Sequence, residues 1–155
     1  MIGSNIDDCL LVNDSTAARE LSLGDIVVGQ SVKQVHSFCP EAMMQFQFIA
    51  NDLAPLHHDD KFAQNMGFPG KIVQGLLVSS RFSRLIGMHL PGTRTVLQSI
   101  EFRYKKPVAV GMELEYLVAV ERVVPAANAV KLRLAVTHNG DVHVNGQCQC
   151  LVKKK

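Results

Sequence analysis

With 155 residues, 47% of them apolar and 19% charged, the chain has the length and balance of one globular domain (1–155) with enough apolar material for its own core. A formal net charge of +2 gives no reason to expect a nucleic-acid partner, and no apolar run is long enough to span a membrane. The cysteines Cys9, Cys39, Cys148 and Cys150 include no C-x-x-C pair, and the start of the chain lacks a basic stretch followed by an apolar run, so a reducing cytoplasm is the expected compartment.

In chain order, residues 1–25 read as partly irregular, and Gly24-Asp25 signals a turn before a predicted strand at Ile26-Val27-Val28. A second short strand is expected over 31–36. Pro40 opens a predicted helix over 40–50, because proline suits the first helical turn. Asp59 or Asp60 is placed to cap a short helix through Phe62 and Met66. Gly67-Phe68-Pro69-Gly70 breaks the chain, and 74–90 reads as one long helix, apolar on nearly all sides and therefore buried. Ser79, Ser83 and Gly87 form a stripe of small residues along it. After Pro91-Gly92 strands are expected over 95–105, 112–124, 128–137 and 142–152, with Asn139-Gly140 turning the last hairpin. Cys148 and Cys150 then point the same way as small core residues, and 153–155 is a basic tail. This order predicts an α+β architecture, a curved antiparallel sheet wrapped around a central helix. The edge strands of such a sheet need cover, which predicts a homodimer.

The segment Asn51 to Ala63, NDLAPLHHDDKFA, carries the chemistry. Pro55 disfavours helix at Ala54, so the chain bends between Asp52 and His57. A bent loop can present a carboxylate and an imidazole to one cleft, where two titratable groups move protons on and off a water molecule. Gly75 lies where the long helix begins. There backbone N–H groups lack intrahelical partners, and a glycine lets a ligand come close. Proton chemistry on a carbonyl compound is the resulting expectation. The adjacent His57 and His58, with Asp59 and Asp60, do not have the spacing of a metal site, so no metal is expected.

Asp52, Pro55, His57, Asp59, Phe62-Ala63, Ile72-Val73, Gly75, Ser83 and Leu90-Pro91-Gly92, with FRYKKPVAVG at 102–111, together resemble the MaoC-like hydratases of the hotdog fold, in particular the (R)-specific enoyl-CoA hydratases. The resemblance implies reversible syn addition of water to a trans-2-enoyl thioester carried by coenzyme A or an acyl carrier, with no further cofactor. It implies that Asp52 and His57 are the catalytic pair, that Gly75 supplies an oxyanion-hole N–H, and that Ser83 helps position the site. Gln74 stands where the family usually has histidine, at the pocket wall. Ala54 stands where it usually has asparagine, and Met112 where it usually has an acidic residue. A thioesterase and a non-catalytic acyl-thioester-binding module are the competing functions. Against the first, residues 75–90 contain no Asp or Glu. Lys71, Arg81, Arg84, Arg103, Lys105 and Lys106 are the cations available to coenzyme A phosphates, and most of them read as solvated surface.

Overall fold

The computed structural model describes residues 9–154, so 1–8 of the expected irregular segment and Lys155 of the basic tail lie outside the described residues. The helices are α1 (Pro40–Ala50), α2 (Asp60–Asn65) and α3 (Gly75–Arg84), the last continuing as a π-helical turn over Leu85–His89. The strands are β1 (Cys9–Leu11), β2 (Ser31–His36), β3 (Thr95–Tyr104), β4 (Leu114–Val124), β5 (Ala129–His138) and β6 (Asp141–Val152). They form one sheet in the order β1-β2-β4-β5-β6-β3. The α+β expectation holds, and every later strand falls within two residues of its predicted bounds.

α3 and its continuation lie against the sheet by one face only: Leu76, Ser80 and Ser83 are exposed, so the helix is amphipathic rather than buried on nearly all sides as its composition predicts. Phe82 and Leu85 are fully buried, and Val78 nearly so. They pack with Leu114, Tyr116, Leu132, Leu134, Val136 and Val144 from the strands. The Tyr116 hydroxyl donates to the Val78 carbonyl at 2.8 Å, fixing the height of the helix on the sheet. The β5–β6 turn follows its sequence signal, with Asn139 and Gly140 both at positive φ (49° and 83°) as a tight hairpin needs.

Two differences concern the amino-terminal region. Ile26-Val27-Val28 is not a strand. Leu23–Asp25 makes a 3-10 turn, closed by the Asp25 carboxylate accepting from the Ser22 N–H at 2.8 Å. A second turn then uses the local hydrogen bonds, Gln30 N to the Val27 carbonyl and Val27 N to the Gln30 side chain. Val27 and Val28 are left exposed, so a β-branched run alone did not make a strand. In its place β1 pairs parallel with β2 (Leu10 opposite Val32), and the sheet is mixed rather than wholly antiparallel. The added segment also closes over the far end of α3. Gly92, at φ 96°, receives the Arg19 carbonyl so closely that no Cβ would fit.

Candidate active site

The loop between α1 and α3 is built to hold its side chains still. Asn51 turns left-handed at φ 52°, with its N–H on the Gln47 carbonyl, and this ends α1 immediately before Asp52. Ala54 is extended, as its proline neighbour requires, and Pro55–His57 forms a single 3-10 turn. Asp59 caps α2 by accepting from the Lys61 and Phe62 N–H groups at 2.8 and 3.1 Å. Asp60 reaches across the loop and accepts from the Lys71 N–H at 2.8 Å.

His57 Nδ1 lies 2.8 Å from the Ile72 carbonyl. A carbonyl only accepts, so Nδ1 carries the proton and Nε2 is the lone-pair nitrogen of the neutral ring. Ile72 is itself held: its N–H meets the Leu56 carbonyl at 3.4 Å, and Val73 N–H meets the Val108 carbonyl at 2.8 Å. His58 is fixed similarly, with Nε2 donating to the Asp52 carbonyl at 3.1 Å. The imidazole orientation at 57 is therefore a consequence of backbone placement on both sides of the loop.

His57 and Gly75 line the same cavity, of about 290 Å³, together with Val78, Tyr104, Lys105 and Val108 among others. Gly75 is the first residue of α3, so its N–H is among the helix's unpaired amino-terminal donors and stands at the positive end of the helix dipole. A Cβ at this position would meet the Tyr104 ring at 3.2 Å, so any larger residue requires the ring to give way. Tyr104 comes from β3, and its hydroxyl shares a 2.6 Å hydrogen bond with Ser79 Oγ one turn along α3. Lys105 and Lys106 stand at the same cavity, and Lys106 is ion-paired with Asp141 at 2.8 Å, which holds the Asp141 carboxyl below its usual range.

The other sequence candidates lie apart from this cavity's lining. Asp52 is half-buried in an Asx turn, its Oδ1 accepting from the Ala54 N–H at 3.1 Å. Gln74 is buried and turned toward α1, with Nε2 donating to the Met43 carbonyl at 3.4 Å and Oε1 without a hydrogen-bond partner among the described residues. Ser83 is exposed and lines a second cavity of about 270 Å³ farther along α3. Tyr104 and the Ile72 carbonyl were not singled out from the sequence. Their signals there were Ile72-Val73 and the run at 102–111 within the family resemblance; Tyr104 meets Ser79, 25 residues upstream. Among the described residues no cluster of His, Cys, Asp or Glu is arranged to hold a metal ion, and no helix is long and apolar enough to cross a membrane.

A curved sheet wrapped around one long helix, with a loop histidine beside the helix's amino end, defines a hotdog-fold protein. Residues 24–142 match the MaoC like domain, and the chain belongs to that family. It is 31% identical over 129 residues to the mitochondrial 3-hydroxyacyl-(acyl-carrier-protein) dehydratase of Arabidopsis thaliana, an alignment covering 81% of this chain and 76% of that protein. It is 34% identical over 94 residues to the (R)-specific enoyl-CoA hydratase of Aeromonas caviae, covering 61% of this chain and 70% of that one. The solved (R)-hydratase from A. caviae superposes with a TM-score of 0.79 at 29% identity, over 83% of this chain and 98% of that chain. The R-hydratase of Pseudomonas aeruginosa shares the fold, with a TM-score of 0.80 at 24% identity over 86% of each chain.

Proposed function

We propose that the protein is a hydro-lyase that reversibly adds water to trans-2-enoyl thioesters, giving (R)-3-hydroxyacyl thioesters on coenzyme A or an acyl carrier protein. The observation that carries this reading is the shared cavity of His57 and Gly75, in a chain of the MaoC-like family. Water addition forms a C3–O bond and a C2–H bond while the C2=C3 π bond is lost. One proton leaves the water, one arrives at C2, and negative charge passes through the thioester oxygen. In this reading Gly75 N–H faces that oxygen at the positive end of α3, a contribution of about 3 kcal/mol where such a donor has been removed in other enzymes. His57 Nε2, at the cavity, and the carboxylate of Asp52, which stands on the same loop but outside the cavity's lining, handle the two protons as a coupled pair in this scheme. No further cofactor or metal takes part in this scheme.

The protein is proposed to act as a homodimer. β3 is an end strand of the sheet with Val96 exposed on it, and a second copy would cover it. A cytoplasmic location accords with four free thiols. The defining test mixes the protein with trans-2-butenoyl-CoA. Loss of the conjugated enoyl absorbance with formation of (R)-3-hydroxybutyryl-CoA supports the proposal. Release of free thiol would assign a thioesterase instead, and binding without turnover would assign a non-catalytic acyl-thioester module.

A further inference from the structure

The site cavity and the second cavity lie in one groove between α3 and β3. Gly75 and Val78 line the first, and Ser83 and Ile86 line the second one to three turns farther along the same helix. On β3, Tyr104 lines the first and Ile100 the second; with Phe102 between them, these alternate residues share the strand face turned to α3. Between the two linings stands the 2.6 Å hydrogen bond of Tyr104 with Ser79. Tyr104 belongs to the first cavity and Ser79 to the second, so the bonded pair is the wall between them. Ser79 is 5% exposed, and a buried hydroxyl holds its partner because leaving it unpaired is costly. Phe102 backs the wall, with its ring centroid 5.5 Å from Phe82 and 6.3 Å from Tyr104.

The two ends of the groove differ in chemistry. Lys105 and Lys106 stand at the first cavity, where cations suit the phosphates of a carrier. The second is lined mainly by aliphatic and aromatic carbon, with Phe82, Ile86, Leu97 and Ile100 among its residues. A thioester laid with its carrier at the lysines and its carbonyl at Gly75 directs its acyl tail toward Tyr104.

We infer that Tyr104, latched to Ser79, is the chain-length determinant of this protein: it ends the acyl site at about 290 Å³ and keeps long tails out of the 270 Å³ cavity beyond. The inference rests on the enoyl-thioester reading of the same cavity. Removing the ring joins the two spaces, and each methylene then buried is worth about fourfold in affinity.

The test measures kcat/KM on trans-2-enoyl-CoA substrates of four, eight and twelve carbons for wild type, Tyr104→Ala, Tyr104→Leu and Tyr104→Phe. Binding of the matching saturated acyl-CoAs is measured calorimetrically on the same proteins. Wild type is expected to favour four carbons. Tyr104→Ala is expected to raise the twelve-to-four-carbon ratio at least about tenfold in both readouts, with Tyr104→Leu intermediate. Tyr104→Phe, which keeps the ring and loses only the latch, raises it about two- to fourfold. If the alanine variant does not fold, Tyr104→Leu carries the test. An unchanged ratio, or an equal loss at all lengths, overturns the inference while wild-type turnover leaves the hydratase reading standing. A wild type that binds but does not turn over, with the binding ratio still shifted by Tyr104→Ala, sinks the hydratase reading and supports the partition. A protein that binds no acyl-CoA overturns both.

Discussion

The two ends of the central helix are built for different purposes. At the amino end Gly75 opens onto a cavity, with a loop histidine, a half-exposed tyrosine and two lysines around it. At the other end Leu85, Ile86, His89 and Leu90 are buried, and the chain before β2 closes over them. Arg19 N–H meets the Met88 carbonyl at 2.7 Å, and Arg84 Nη2 donates to the Asn13 and Asp14 carbonyls at 3.1 and 2.9 Å. Arg81 is paired with Asp14, and its Nε donates to Gln34 at 3.2 Å. Unpaired N–H groups and the histidine-lined cavity occupy one end, fastened backbone the other. A helix can present its reactive end to a ligand only if its far end does not move.

That contrast can be broken from either side. The largest expected effect on folding comes from Phe82→Ala. Phe82 is fully buried between Phe102 and Tyr116, and its loss should cost about 3–5 kcal/mol, read as a lower urea midpoint. A midpoint shifted by less than about 1 kcal/mol would mean the helix is not anchored as described.

Gly75→Ala probes the opposite end. The added methyl meets the Tyr104 ring at 3.2 Å and pushes ring and helix start apart, which should lower kcat/KM roughly ten- to hundredfold. Thermal stability should change little, because alanine is the better helix former and Tyr104 is partly exposed. Unchanged turnover would remove Gly75 from the site.

A smaller effect is expected at Arg94, whose Nε donates to the Lys153 carbonyl and whose Nη1 pairs with Glu20, each at 2.8 Å. Arg94→Ala should cost about 1 kcal/mol in denaturant titration, with kcat/KM unaltered. A loss of activity would show that the two ends are coupled.

The finest discrimination is by pH. His89 is fully buried with neither ring nitrogen bonded among the described residues, and burial, with Arg84 and Arg19 nearby, lowers its pKa below the ordinary histidine value of 6.5. Above that value both folded and unfolded states hold it neutral. As pH falls below 6.5 the unfolded chain takes up a proton that the folded one refuses, so stability is lost. His36, also lowered by burial, adds in the same direction. Between pH 7.5 and 5, His89→Leu should lose less stability than wild type. An identical pH slope would show that His89 is not the group responsible.

How much of this was legible in the sequence follows the range of the interactions involved. The start of α1 at Pro40, the Asp59 cap and the Asn139-Gly140 hairpin are set by residues a few positions apart, and all three formed where expected. The bend before His57 is equally local. The parallel pairing of β1 with β2 was not legible, because it joins segments about twenty residues apart through backbone groups that carry no side-chain signature. Tyr104 over Gly75 and Asp14 against Arg81 are longer still, and only the folded chain brings them together. Ser83, given to the site by the family resemblance and lying on the small-residue stripe, lines the second cavity farther along α3. The stripe gave the helix face, but not where the groove along it is divided.

The central claim, that the loop imidazole beside the amino end of α3 moves the protons of hydration, is tested most directly by His57→Ala on trans-2-butenoyl-CoA, with thermal stability measured on the same preparation. The account predicts a fall in kcat of roughly 10²- to 10⁴-fold with little change in melting temperature. Turnover equal to wild type in a folded His57→Ala protein would contradict it.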